Sequence, residues 1–391
     1  TNPTHSNKIL KRQNKIPLTP QNMLVVVLAF VLPTIFLVLL FWDSLICPCI
    51  LALVYPQSNK SLNQRVVLIT GAGRPQGIGY NLALAFLQQG CLVVLWDINA
   101  KDLKQAQTTL SLATQHNHPT TTTSTLPRIT IQTVDVSDAT EVRTAAGVLR
   151  AKGLLPSILV NNAGIVRGKS LTQLTPHDLH STFNVNAIAH FHTLSAFLPQ
   201  FMSTNDGLVI TMSSMMGMMG GAGLADYCAS KWSLIGMDES LRMELRRNGS
   251  TGVRTLVVCP YMVKTGMFRG AFGDDGDGNG GNGGSGGTGN DTQKKTTLSW
   301  VRRAVNGLRD ALVPKLSPKQ VADAVVVASG QSLNTHNCTC GARGKQLILP
   351  TRLSLVPPLL RLLPMGLQEW VLDLGGGSMG MDGFTGHSKR T

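Results

Sequence analysis

Aromatic side chains are scarce in this 391-residue chain, at 5%, and charged ones make up only 14%. What charge there is leans one way: 35 Lys and Arg stand against 21 Asp and Glu, a net of +14. A nucleic-acid groove combines a clustered basic stripe with stacking aromatics, whereas these basic residues are dispersed. Nucleic acid is therefore not expected as a partner. The one basic block free of acids, Lys8, Lys11, Arg12 and Lys15, directly precedes an apolar run, where a membrane-flanking role explains it better. The seven cysteines form no disulfide framework. Cys338 and Cys340 supply two ligands where a structural zinc wants four, so no metal site is expected. Reduced thiols facing the cytosol are the default reading.

Charge is missing altogether from Met23 to Trp42, twenty residues that are long enough to cross a bilayer as a helix. A second apolar run follows from Leu45 to Tyr55. The stretch is too long for a secretory signal and lacks a small-x-small cleavage site. Pro33 and Pro48 leave a re-entrant hairpin open beside a simple span. The expected division is a basic tail (1–22), a membrane anchor (23–55), a folded domain (61–350) and an apolar C-terminal tail (351–391). The folded domain carries low-complexity insertions at 116–127 and 270–289 that cannot pack a core. Within the tail, Leu353–Leu374 is apolar but broken by three prolines. It reads either as a membrane-contacting segment or as an ordinary packed extension.

From Arg65 onward, short apolar runs alternate with amphipathic stretches. Strands are predicted at Val66–Thr70, Leu92–Trp96, Ile129–Val134, Ile158–Asn161, Leu208–Met212, Val253–Val258 and Gln346–Leu349. Helices are predicted at Ile78–Gln89, Asn99–Ala113, Ala139–Ala151, Pro176–Phe201, Ala225–Arg247 and Pro318–Ser329. The alternation implies an α/β fold, a Rossmann-like, doubly wound, seven-stranded parallel sheet with helices on both faces. Such sheets bind ligands beyond the carboxyl ends of their strands.

The motifs fall on that edge. Between the first strand and first helix lies a glycine-rich turn, Gly71 to Gly79, in which Gly71, Gly77, Ile78 and Gly79 are candidate phosphate contacts. Backbone N–H groups and the helix dipole can meet a pyrophosphate there. Asp97 ends the next strand, eighteen residues after Gly79. A carboxylate at that place takes ribose hydroxyls and repels a 2′-phosphate, favouring NAD over NADP; Arg74 in the turn pulls the other way. Asp135 after the third strand and Asn162, Ala163 and Gly164 after the fourth complete the edge.

Tyr227 and Lys231 stand four residues apart on a predicted helix, so phenol and ammonium share a face. A cation beside a tyrosine favours the phenolate and suits it to proton exchange. Ser214 lies thirteen residues before Tyr227, where a strand feeds that helix. Methionines at 212, 215, 216, 218 and 219 offer an adaptable apolar wall or core packing.

These residues, in this order, resemble the short-chain dehydrogenase/reductase family over about Asn63 to Pro350. The family's TGxxxGxG is similar to Thr70–Gly79, its NNAG to Asn161–Gly164, its helix-four asparagine to Asn186, and its serine and YxxxK to Ser214, Tyr227 and Lys231. Val263-Lys-Thr265 after Pro260 resembles its nicotinamide-side motif. The turn is two residues longer than the usual form, and Pro260-Tyr261 replaces the common Pro-Gly. LWDIN (Leu95–Asn99), DYCASK and the late LILP resemble the membrane-associated branch of retinol and lipid-droplet 17β-hydroxysteroid dehydrogenases.

The resemblance implies hydride transfer with NAD or NADP on a lipophilic alcohol, aldehyde or ketone such as a sterol or retinoid. Tyr227 would be the acid/base, Lys231 its partner and a ribose ligand, Ser214 the holder of the substrate oxygen, and Asn186 the support of the lysine through a water. Cofactor contacts would come from Pro260, Val263 and Thr265 as well. The branch implies an endoplasmic-reticulum or lipid-droplet membrane with the catalytic domain in the cytosol. The family's dimer face would fall on Pro176–Phe201 and Ala225–Arg247, so a homodimer is an expectation by analogy. The alternatives are an NADPH-dependent reductase of a keto-lipid precursor and a non-catalytic dinucleotide-binding membrane scaffold.

Overall fold

A computed structural model of the chain describes residues 62–115, 127–268, 315–334, 344–350, 353 and 356–374. The expected anchor at 23–55, the insertion at 270–289 and nearly all of that at 116–127 lie outside these residues. Among the described residues, no helix is long and apolar enough to cross a membrane.

Seven strands form one sheet: β1 (Val66–Thr70), β2 (Leu92–Asp97), β3 (Ile129–Thr133), β4 (Ile158–Asn161), β5 (Gly207–Met212), β6 (Val253–Pro260) and β7 (Gly344–Leu349). Their order is β3-β2-β1-β4-β5-β6-β7, and every pairing is parallel. The helices are α1 (Ile78–Gln88), α2 (Ala100–Gln115), α3 (Ala139–Ala151), α4 (Pro176–Phe183), α5 (Ala189–Thr204), α6 (Ala225–Arg247), α7 (Pro318–Asn334), α8 (Val356–Arg361) and α9 (Met365–Leu374). The strand order reverses between β1 and β4, which opens a crevice at the carboxyl edge.

The strands read as continuous apolar runs because both faces of the sheet are buried. Alternation then sorts their side chains. Val67, Ile69, Val93 and Leu95 pack with α1, α2 and α7 on one face. Leu68, Val94 and Trp96 pack with α3, α5 and α6 on the other. Trp96 is fully buried there, with its ring 5.8 Å from Phe197 and its indole N–H donating to Gln132 Oε1 at 2.7 Å.

Two boundaries differ from the sequence expectation in ways that bear on the site. β2 runs one residue further, so Asp97 is the last residue of the strand. The helix expected over Pro176–Phe201 is interrupted by a π-helical turn at Asn184–Ile188. A wide turn holds one residue more than an α-turn and shifts the hydrogen-bond ladder. Asn186, in that turn, is fully buried.

The C-terminal segment presents both buried and exposed apolar side chains. Leu353 and Leu360 are buried, whereas Leu359, Leu362 and Met365 are 47%, 80% and 76% exposed. Arg361 stacks 4.5 Å over the Trp232 ring and so ties α8 to α6.

Phe201 is fully buried among the side chains that join α5 to the sheet. Phe201→Ala should therefore cost about 3–5 kcal/mol of stability, read as a lower urea midpoint at unchanged slope.

Candidate active site

The glycine turn is built around Thr70. Its Oγ1 accepts from the backbone N–H groups of Asn162 and Ala163 at 2.9 and 3.0 Å, joining the ends of β1 and β4. The Asn162 amide donates to the carbonyls of Thr70 and Gly71 at 2.9 and 3.1 Å. Gly71 has φ +66°, and a Cβ there would lie 2.8 Å from the Ala163 Cα. At Gly79 a Cβ would come within 2.5 Å of the Gly71 carbonyl oxygen. Only glycine permits this approach. The two extra residues of the turn close on themselves, because the Gly77 N–H donates to the Arg74 carbonyl at 2.9 Å. Asn81 braces that loop through the Pro75 and Gly77 carbonyls. Gly77 still caps α1, which begins at Ile78 with neither a side-chain cap nor an acid in its first turn. That donor set fits a dinucleotide pyrophosphate, since the helix start is claimed by no anion of the protein.

Asp97 faces the same turn: its Oδ2 accepts from the Gly73 N–H at 2.8 Å and its Oδ1 from the Asn99 N–H at 3.1 Å. Asp135 is drawn into a turn, taking both the N–H and the hydroxyl of Ser137. On the far side of the crevice, Pro260 ends β6, Val263 is bridged to Leu316, and Thr265 Oγ1 accepts from the Met267 N–H.

Ser214, Tyr227, Lys231 and Asn186 are brought to this edge, and all four are buried. Ser214 follows β5 and caps a short 3-10 turn, Met215–Gly217, accepting from the Met216 N–H at 3.1 Å. Lys231 Nζ donates to the Met212 carbonyl at the end of β5 at 2.8 Å and lies 5.8 Å from the centre of the Tyr227 ring. Asn186 is held by the backbone of Ile165 on both sides, accepting at 2.8 Å and donating at 2.9 Å, and it also donates to Ser230 Oγ. Gly164 packs beside Asn186 and Lys231.

Burial governs the proton chemistry. It pushes the Tyr227 phenol up to about 12, against the downward pull of the Ser214 hydroxyl. It also pulls Lys231 down to about 8. The sequence argument has the lysine cation lowering the phenol's pKa; here desolvation is the largest influence on both groups and raises the phenol instead. His190 is buried behind them and held near 3 by desolvation and then by the Lys231 charge, so it is neutral.

An apolar cavity opens beside Ser214, walled by Met215, Met216, Leu224, Met262 and Phe268. The Phe268 ring meets Tyr227 edge-on at 5.6 Å. Met215 and Met216 line the cavity, and Met215 also belongs to the core cluster with Leu353 against which Met218 and Met219 pack.

The family model for short chain dehydrogenases matches residues 65–275. The chain belongs to the short-chain dehydrogenase family. Among its relatives in that family, human retinol dehydrogenase 10 is 38% identical over 236 residues, a match covering 56% of this chain and 67% of that protein. Epidermal retinol dehydrogenase 2 of Mus musculus is 36% identical over 217 residues, covering 56% and 66%. Both belong to the retinol dehydrogenase branch that the sequence motifs resemble. A short-chain dehydrogenase/reductase of Burkholderia phymatum, solved in complex with NAD, superposes with a TM-score of 0.56 at 22% identity, covering 77% of this chain and 94% of that one. An enzyme of Streptomyces avermitilis gives 0.53 at 21%, covering 79% and 96%. At these identities the likeness is one of fold.

Within the family's site, sequence reasoning missed the residues that hold the motif residues. Thr70 clamps the turn. Ser213 Oγ donates to the Lys231 carbonyl at 2.9 Å. Ser230 receives Asn186 and donates to the Tyr227 carbonyl. Thr182 donates to the buried Asp226 at 2.7 Å. Thr70, Ser213 and Ser230 lie inside or beside the quoted motifs, which was the available signal; Thr182 carried none.

Lys231 yields a pH prediction. Its pKa falls from 10.5 to about 8 on folding, so between those values the unfolded chain holds a proton that the folded chain has released. Stability from this group is fully present above 10.5 and is lost as pH falls through about 8. Raising the pH from about 8 to 10 should therefore stabilise the cofactor-free protein relative to Lys231→Met. The difference in urea unfolding free energy over that interval should be roughly 2 kcal/mol.

Proposed function

We propose that this protein interconverts a hydroxyl and a carbonyl on a lipophilic substrate, with NAD or NADP as hydride carrier. The observation that carries the reading is the convergence of Ser214, Tyr227, Lys231 and Asn186 beside both the glycine turn and an apolar cavity. When bound, the nicotinamide supplies or accepts the hydride. The chain's own residues do the rest. The Tyr227 hydroxyl gives its proton to the substrate oxygen in reduction and takes it back in oxidation. Ser214 hydrogen-bonds that oxygen and orients it. Lys231 turns from the Met212 carbonyl toward the ribose and the phenol, easing the phenolate that burial opposes. Asn186, fixed by Ile165 and Ser230, keeps the π-helical turn in the shape that supports Lys231 through a water. Gly71, Gly77, Ile78 and Gly79 receive the pyrophosphate, while Asp135, Asn162, Ala163, Gly164, Pro260, Val263 and Thr265 line the cofactor's path.

Asp97 supports NAD as the cofactor, since a carboxylate there repels a 2′-phosphate. A second reading, an NADPH-dependent reductase of a keto-lipid, draws on Arg74, which is mostly exposed in the same turn and only 3.9 Å from its partner Asp102. A sterol, retinoid or long-chain alcohol suits the apolar cavity. The uncharged run at Met23–Trp42 and the exposed Leu359, Leu362 and Met365 support a membrane or lipid-droplet site of action. The homodimer through α4, α5 and α6 rests on family analogy.

Tyr227→Phe tests the enzyme against the scaffold reading. Turnover of lipophilic alcohols should fall about 100-fold or more while NADH still binds, followed by nicotinamide fluorescence. Retained turnover would count against the proposed acid/base. In the same titration NADH should bind at least about tenfold tighter than NADPH, and Asp97→Ser should narrow that gap. A preference for NADPH would instead favour the keto-lipid reductase.

A further inference from the structure

Gly73, in the glycine turn, lies between two acidic side chains. A Cβ there would be 3.0 Å from Asp97 Oδ2 and 3.1 Å from the Asp102 Cβ. Asp97 is tied to this place by the N–H groups of Gly73 and Asn99. Asp102 belongs to the first turn of α2, where the helix dipole favours an acid. The start of that helix is already closed. Asn99 Oδ1 accepts from the N–H groups of Lys101 and Asp102 at 3.0 and 3.1 Å. Two backbone donors that a helix start could offer a phosphate are therefore spent on Asn99. The cation of the turn itself is Arg74, next to Gly73, and its Nε lies 3.9 Å from Asp102 Oδ2. The Arg74 side chain is 58% exposed and that of Asp102 29%, so the shorter, better-buried acid is the fixed member. An exposed pair of this kind is weak, but it competes with any other anion for the same guanidinium.

We propose that Asp102 is a second determinant of cofactor choice, acting through Arg74. It engages the guanidinium that a 2′-phosphate would otherwise recruit, while Asp97 takes the ribose hydroxyls. This rests on the nicotinamide-dinucleotide reading above and adds to it how an arginine in the turn is kept from serving NADPH. Asp102 is a positioning residue: it sets where the Arg74 charge stands and needs no contact with the cofactor.

The test uses the full chain and reads binding alone. NADH and NADPH are titrated by nicotinamide fluorescence into wild type, Asp102→Asn, Arg74→Ala and the double variant. Asp102→Asn should bind NADPH about fivefold tighter and NADH within about twofold of wild type. In the Arg74→Ala background the same substitution should leave NADPH affinity unchanged, since no guanidinium remains to be released. An equal gain with and without Arg74 would overturn the proposal, because Asp102 would then act by its own charge. So would equal changes for both dinucleotides. Displacement of bound NADH by adenosine 2′,5′-bisphosphate and by ADP isolates the ribose end, and Asp102→Asn should improve only the first. If Asp102→Asn lowers the urea midpoint, Asp102→Ser must give the same pattern for the proposal to stand. Binding of neither dinucleotide refutes the nicotinamide reading and this inference with it. Binding of both with an unaltered NADPH-to-NADH ratio in Asp102→Asn refutes this inference alone.

Discussion

A buried ammonium sets the terms for this site. Lys231 is 4% exposed, and its ammonium has one hydrogen-bond partner among the described residues, the carbonyl of Met212 at the end of β5 at 2.8 Å. An ammonium removed from water costs several kcal/mol unless polar groups receive it, so the surrounding elements are constrained to do so. Ser213 holds the lysine's own carbonyl, and the turn after β5 passes so close that a Cβ on Gly217 would sit 2.7 Å from that same oxygen. The parallel sheet makes this possible, because it delivers the last carbonyls of successive strands to one edge. Thr70 pins the same edge from the other side, by joining β1 to β4 where the strand order reverses.

The burial that protects the lysine also separates the two titrating groups. Starting from 10.0 and 10.5, the phenol rises to about 12 and the ammonium falls to about 8. Groups pushed apart by their surroundings can divide the roles of proton donor and charge carrier. A phenol kept protonated by burial holds its proton more tightly than a free tyrosine, so its release depends on charge arriving beside it. Ser214 is placed to ease that change, since its hydroxyl already draws the phenol downward. Its cap on the following turn fixes the hydroxyl's direction.

Several features of this chain sit on its connections rather than on its strands. The lengthened turn closes as a separate loop braced by Asn81, leaving Gly77 at the start of α1. The methionines after β5 serve both cavity and core, with Met215 in each. Lys264 and Lys315 both line the apolar cavity. All three lie on connections beyond the strands, where side chains change without disturbing the sheet.

Periodicity and punctuation made most of the fold legible. Apolar runs of strand length, separated by amphipathic stretches, leave a parallel sheet as the way to bury both faces, and six of the seven strands begin within one residue of their expected start. The glycine turn, Asp97, Ser214 and the Tyr227–Lys231 pair were visible because strict steric or spacing rules tie those residue types to local backbone. The π-helical turn at Asn184–Ile188 had no such mark, since a shifted hydrogen-bond ladder depends on what the helix packs against. Nor did the chain announce that Met212 would offer its carbonyl to Lys231, or that Lys264 and Lys315 would line one cavity. Local sequence determined the elements and the identity of the reactive groups. Tertiary structure alone decided their desolvation, and with it their proton affinities, because burial is a property of neighbours brought from distant parts of the chain.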